Sequence, residues 1–213
     1  MKMSYSCLPC LVNQVVKVAD MTKAENQEDL YRKVFSYLST IDFDKTDPEI
    51  VGETFAMVKA HIGNDDPYYD IRRYYNQLFL DKIEEFEEKI NQSEDSFTEA
   101  IKYAIIGNII DFNPIHNSDI KDIMKWFARM DEYADILSNG DQSLGTVLER
   151  TSEEFRQVYE QADIVIAKGQ ANYECLSEQI GKNIYFLLMA KCFVIANDIG
   201  VPEKSIICKK INL

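Results

Sequence analysis

Two stretches near the carboxyl end, "DIVIA" at 163–167 and "NIYFLLMA" at 183–190, are continuous apolar runs without polar alternation. A strand that faces water on one side alternates; one that does not is buried on both faces, as in a parallel sheet covered by helices. Between the two runs "ANYECLSEQI" reads as a helix that Gly181 would end. After them, "KCFVIANDIG" is a short helix or a loop, closed by Gly200 and Pro202, and "KSIICKK" is a final short strand. Upstream, "ADIL" reads as a short strand and "SNGDQSLG" as a loop. "TSEEFRQVYEQA" reads as a helix capped by Thr151, with Glu154 three residues on. Strands that alternate with short helices predict a parallel α/β layer over residues 130–213.

Residues 1–129 follow a helical grammar and predict an all-helical domain. Leu11, Val15, Val18 and Met21 fall near helical spacing. "DPEIVGETFAMVKAHI" opens with Asp47 as cap and Pro48 at the first helical position, and Ile50, Val51, Phe55, Val58 and Ile62 share a face. "DPYYDIRRYYNQLFLDKIEEFEEKI" repeats the device with Asp66 and Pro67 and carries a long apolar stripe from Ile71 to Ile90. Glu84, Glu85, Glu87 and Glu88 lie mostly opposite that stripe and read as a solvated surface. "SFTEAIKYAIIGNIIDF" starts with a capping box of Ser96 and Glu99, then places Asn108 and Asp111 three apart in an apolar context. Buried, that polar pair would need partners; the plain alternative is a helix end followed by a polar turn.

Charge and targeting signals narrow the class of function. The formal net charge is −13, which disfavours nucleic-acid backbone and anionic lipid as partners. No secretory leader is visible at the amino end. The most apolar run, "IYFLLMAKCFVIA", is interrupted by Lys191 and is too short to span a bilayer. The expectation is a cytoplasmic protein. Five cysteines without a leader argue against a disulfide framework. Cys7 and Cys10 form a C-x-x-C pair, a thiol site that is redox-active or binds a metal with Cys192 as the one plausible third ligand, or else is structural or idle. A redox pair of the thioredoxin kind would follow a strand, and no strand is predicted there.

The most informative motif is the end of the first buried strand, where the chain runs "AKGQANYE". Ligands of parallel α/β sheets sit beyond the carboxyl ends of the strands. Lys168 is placed there; Gly169 permits a tight turn and close backbone approach; the amides that open the next helix favour an anion. Lys168 and those amides could hold a phosphate, and the bland alternative is a strand-to-helix turn with nothing bound.

Taken in order, "CLPCLVNQ", "IIGNIIDF", "SNGDQSLGTVLERTSEEF", "ADIVIAKGQANYECL" and "IYFLLMAKC" resemble the damage-control phosphatase family, also called acidic-residue-methyltransferase-like, in its small archaeal and bacterial branch with an N-terminal C-x-x-C. The resemblance implies a helical domain joined to an α/β/α, Rossmann-like domain, shortened here. It implies metal-dependent phosphatase activity on small phosphorylated metabolites such as sugar phosphates, with Mn²⁺, Co²⁺, Ni²⁺ or Mg²⁺ as cofactor. It also implies that Lys168 and Gly169 meet the phosphate, that Asn108 and Asp111 approach the same cleft from the helical domain, and that Asn172 and Glu174 shape its wall. Family members hold the metal largely through a D-N-x-G-E motif after a core strand and an N-D motif downstream. D-N-x-G-E is absent here, and the Asn-Asp pairs at 64–65 and 197–198 stand in the wrong context. Asp111, Asp163 and Glu174 are the oxygen ligands left for a rebuilt site; otherwise the chain is a non-catalytic remnant that binds a metabolite or a partner. Lost central strands would also leave open strand edges, to be covered by rearrangement or by a second copy of the chain, or else left partly folded.

Overall fold

The computed structural model describes residues 1–106, 134–141 and 143–211. Among these, α1 (Leu8–Met21), α2 (Gln27–Leu38), α3 (Asp47–Ile62), α4 (Tyr69–Leu80), α5 (Ile83–Gln92) and α6 (Ser96–Ile106) precede an α/β part. That part consists of α7 (Glu153–Gln161), β1 (Val165–Lys168), α8 (Gln170–Leu176), β2 (Ile184–Met189), α9 (Phe193–Ile199) and β3 (Ile206–Ile211). The helical-then-α/β order expected from the sequence is the one found.

The helical core gathers the predicted stripes. Leu11, Val15 and Val18 of α1, Leu30 and Val34 of α2, and Ile50, Val51, Phe55 and Val58 of α3 are buried together. Removing that much apolar surface from water is the main force holding these helices. The α3 cap differs by one residue from expectation. Thr46, not Asp47, is the cap, and the Glu49 carboxylate accepts from the Thr46 amide at 2.8 Å and its hydroxyl at 2.9 Å. The Asp66–Pro67 device also differs: Asp66 pairs with Arg72 instead of simply opening a helix. The long stripe that follows is two helices, α4 and α5, broken at Asp81–Lys82, with no fully buried residue in either. Glu84, Glu85, Glu87 and Glu88 are exposed, as read. Asp95 rather than Ser96 caps α6, its carboxylate accepting from the Thr98 amide at 3.0 Å.

In the sheet, β2 is central. β1 pairs with it in parallel, Val165 opposite Ile184 and Lys168 opposite Leu187. β3 pairs with its other side antiparallel, so the layer is mixed rather than wholly parallel. β2 fits the expectation of burial on both faces: Ile184, Phe186, Leu187 and Leu188 are buried. β1 does not. Ile166 is 69 % exposed and Ile164, just before it, 55 %. β1 forms one edge of the described sheet, and Ile164 and Ile166 share the face of it that the described residues leave largely uncovered. An apolar groove of about 320 Å³ runs beside it, lined among others by Phe155, Val158, Ile164, Ile166 and Leu176. "ADIL" is irregular rather than a strand. The α7 cap is Ser152, whose hydroxyl accepts from the Phe155 amide, while Thr151 turns back to the Leu148 carbonyl.

Candidate functional site

The carboxyl ends of β1 and β2 lie side by side because these strands are parallel, and the turns leaving them converge. β1 delivers Lys168 and Gly169. Gly169 has φ 97° and ψ 154°, a backbone conformation that side-chain-bearing residues rarely adopt. Its amide donates to the Leu187 carbonyl at 2.9 Å, so this N–H extends the ladder and is not free for an anion. β2 ends at Met189, and Lys191 follows two residues later. The two parallel strands therefore each hand a lysine to the same rim.

Lys168 is exposed at the strand end, yet the protein around it strips enough water to lower its pKa below the usual lysine value. Desolvation is the cause, and among the described residues no carboxylate contributes. An ammonium in this condition gains from an anion, which would restore the lost solvation.

The polar residues of the motif have defined tasks. The Asn172 side-chain amide donates to the Lys168 carbonyl at 2.8 Å, and its oxygen accepts from the Thr146 hydroxyl at 2.9 Å. Asn172 thus ties α8 to the end of β1 and to the loop before α7. That loop approaches closely at Gly145. A Cβ there would lie 2.6 Å from the Ala171 carbonyl oxygen and 3.1 Å from the Asn172 nitrogen. Tyr173 is a core anchor, edge-on to Phe186 at 5.1 Å between ring centroids, with its hydroxyl on Asp198 at 2.7 Å. Glu174 is buried, 6 % exposed, and accepts from the Gln170 side-chain amide at 2.9 Å.

Gln170 is the residue that sequence reasoning passed over. Its amide nitrogen also reaches the Cys192 sulfur at 3.7 Å, and its oxygen accepts from the Lys191 amide at 3.0 Å. It locks the turn after β1 to the turn after β2. Lys191 was noticed in the sequence for breaking an apolar run; its place at the rim depends on parallel pairing, which the sequence does not number. Asn108 and Asp111 lie outside the described residues.

The cysteines are free thiols. Cys7 ends a 3-10 turn before α1 and Cys10 lies in the first turn of α1. Burial, with Asp47 and Glu174 nearby, pushes Cys7 up to about 12, so it is held as a thiol near neutral pH. Cys10 is exposed and receives a weak contact from the Gln14 amide at 3.6 Å.

A divalent metal needs several oxygen ligands around one point. Among the described residues no three His, Cys, Asp or Glu side chains come together in that way. Asp163 precedes β1 and so stands at the opposite end of the strand from Lys168, which separates it from Glu174 as a shared ligand set. The described residues do not by themselves fit the ion.

Comparison with known proteins sets this geometry in a family. The model of the damage-control phosphatase ARMT1-like domain matches residues 3–125 and 115–207. A damage-control phosphatase of Pyrococcus horikoshii is 23 % identical over 289 residues, covering 99 % of this chain and 98 % of that protein. A damage-control phosphatase of Archaeoglobus fulgidus is 45 % identical over 85 residues, 39 % of this chain and 30 % of that protein. The crystal structure of a DUF89 family protein from Pyrococcus horikoshii shares the fold, with a TM-score of 0.74 at 22 % identity and 99 % coverage of both chains. An alignment of 289 positions to a chain of 213 residues leaves over a quarter of the positions without a counterpart here. The two matched stretches of this chain overlap at 115–125. Because the family model matches nearly the whole chain, the chain belongs to the damage-control phosphatase ARMT1-like domain family.

Proposed function

We propose that the rim formed by the ends of β1 and β2 binds the phosphate of a small phosphorylated metabolite, such as a sugar phosphate, and that the chain acts there as a phosphatase-like protein of its family. The observation that carries this reading is the place of Lys168: an exposed lysine at a strand's carboxyl end beside Gly169, its pKa lowered by desolvation and with no carboxylate among the described residues acting on it. Lys191 at the end of the neighbouring strand adds a second positive charge to the same rim. Lys168 would meet the phosphoryl oxygens, and Asn172 and Gln170 hold the turn in place through the hydrogen bonds above. A divalent ion of the Mn²⁺, Co²⁺, Ni²⁺ or Mg²⁺ kind would supply the Lewis acidity and the activated water of hydrolysis.

The second reading is binding without turnover. It is favoured by the absence of D-N-x-G-E from the sequence and by the scatter of acidic groups among the described residues. One assay separates the two. Metal-dependent hydrolysis of an aryl phosphate, lost in Lys168→Ala, supports the phosphatase; phosphate-dependent stabilisation with turnover at background supports the binder. Neither effect in any of the four metals rejects both. The open edge of β1 and its groove support a second copy of the chain as cover, and an intracellular setting is consistent with five free thiols. Among the described residues no helix is long and apolar enough to cross a membrane.

A further inference from the structure

A cavity of about 280 Å³ lies between α3 and the loop at 140–150, and none of its lining residues belongs to the β1–β2 rim. Lys59 of α3 reaches it. This lysine is 6 % exposed, and its ammonium has no hydrogen-bond partner. Across from it lies Ser143, whose buried hydroxyl is also without a partner. Arg150 lines the same space, its guanidinium only loosely paired, 3.6 Å from Asp141 and 4.0 Å from Glu53. Small residues keep the space open: Gly52 and Ala56 face it from α3. A Cβ on Gly52 would come within 3.3 Å of the Ser143 oxygen.

A buried ammonium with nothing to bond is one of the costlier arrangements a fold can keep. At this position of α3, a methionine would fill the space without that cost. Two buried, unpartnered donors, the Lys59 ammonium and the Ser143 hydroxyl, with the exposed, loosely paired Arg150 at the same space, match the oxygens of a small oxyanion. Asp141 and Glu53 offset the Arg150 guanidinium, and Asp65 and Asp66 act on Lys59 against Arg72, so the cavity suits a ligand of low negative charge. Its volume sits just below the usual range of about 300–1,000 Å³ for metabolite pockets. That leaves room for a phosphate or a small carboxylate with a few waters, not for a nucleotide.

We propose that this cavity is a second oxyanion-binding site, in which Lys59, Ser143 and Arg150 hold a phosphate or carboxylate group. It does not depend on the function assigned to the Lys168 rim. Ser143 is two residues from Gly145, which rests on the Ala171 peptide, so an occupied cavity stiffens the loop that backs the rim.

The test uses the full chain carrying Lys168→Ala, which silences the rim, titrated with inorganic phosphate and separately with malonate by calorimetry and thermal melting. The expected result is saturable binding of at least one of the two anions, weakened about tenfold or more when Lys59→Met is added. Any melting shift common to both chains is the general salt effect of the anion. Ser143→Ala is the second variant, expected to weaken binding severalfold, and it decides the matter should Lys59→Met fail to fold. No saturable binding in the Lys168→Ala chain, or binding unchanged by Lys59→Met or, failing that, by Ser143→Ala, overturns the site. If Lys168→Ala alone abolishes all anion binding, the rim reading survives and this one falls.

Discussion

Gly145→Ala offers a graded test of how the loop at 140–150 supports the β1 turn. Gly145 has φ +74°, and an added Cβ would sit 2.6 Å and 2.7 Å from the oxygen and carbon of the Ala171 carbonyl group. Ordinary contact begins near 3.4 Å, so about 0.8 Å must be recovered by moving backbone, since no side chain can swing away. The left-handed conformation alone costs about 1–2 kcal/mol for a residue with a Cβ. Separating the loop from α8 also strains the Thr146–Asn172 hydrogen bond, worth about 1 kcal/mol net. The sum is roughly 2–3 kcal/mol before any cost of the backbone shift, at the upper end of ordinary single substitutions. Gly63→Ala is the control: φ is +64°, but nothing lies within 4 Å of its Cβ, so only the conformational part, about 1–2 kcal/mol, applies. Urea denaturation of the three chains measures both differences. Equal losses for Gly145→Ala and Gly63→Ala would refute the close approach of the loop to α8.

Other consequences can be checked separately. Alkylation near neutral pH should label exposed Cys10 and Cys208 well before Cys7 and Cys175, both pushed up to about 12; equal rates read by peptide mass would contradict their burial. Lys59 has a folded pKa below its unfolded value near 10.5, so the unfolded state binds more protons between the two. Its destabilising effect is therefore greatest at neutral pH and fades as pH rises through the folded value toward 10.5. Lys59→Met should be more stable than the parent near neutral pH, with the gap closing in alkali; a gap that widens would reverse the sign. Ile166→Lys, on the open edge of β1, should shift sedimentation from dimer toward monomer while leaving helicity unchanged; a parent chain that is monomeric at all concentrations would remove the second copy as cover.

The helical part was legible because its periodicity is local: Leu11, Val15 and Val18 meet Ile50, Phe55 and Val58 as their spacing implied. Cap positions slipped by one residue at Thr46, Asp95 and Ser152, since each has a capping-competent neighbour and the choice depends on where the chain enters the helix. β1 misled for a different reason. Its apolar run is the pattern of a strand covered on both faces, and among the described residues the face carrying Ile164 and Ile166 is largely uncovered. At the site, Lys168 and Gly169 were readable from strand grammar. Gln170 and Lys191 were not, because their meeting is a product of the pairing of β1 with β2. Asn172 and Glu174 proved to be braces: one binds the Lys168 carbonyl, the other the Gln170 amide.

The proposed contact of Lys168 with an oxyanion at the end of β1 is tested most directly by affinity for a hexose phosphate. In a Lys59→Met background, which silences the cavity, a charge-assisted hydrogen bond from Lys168 is worth about 1.5–3 kcal/mol. Calorimetry should therefore show affinity about tenfold or more weaker after Lys168→Ala. Affinity that stays the same when this lysine is removed would contradict the claim.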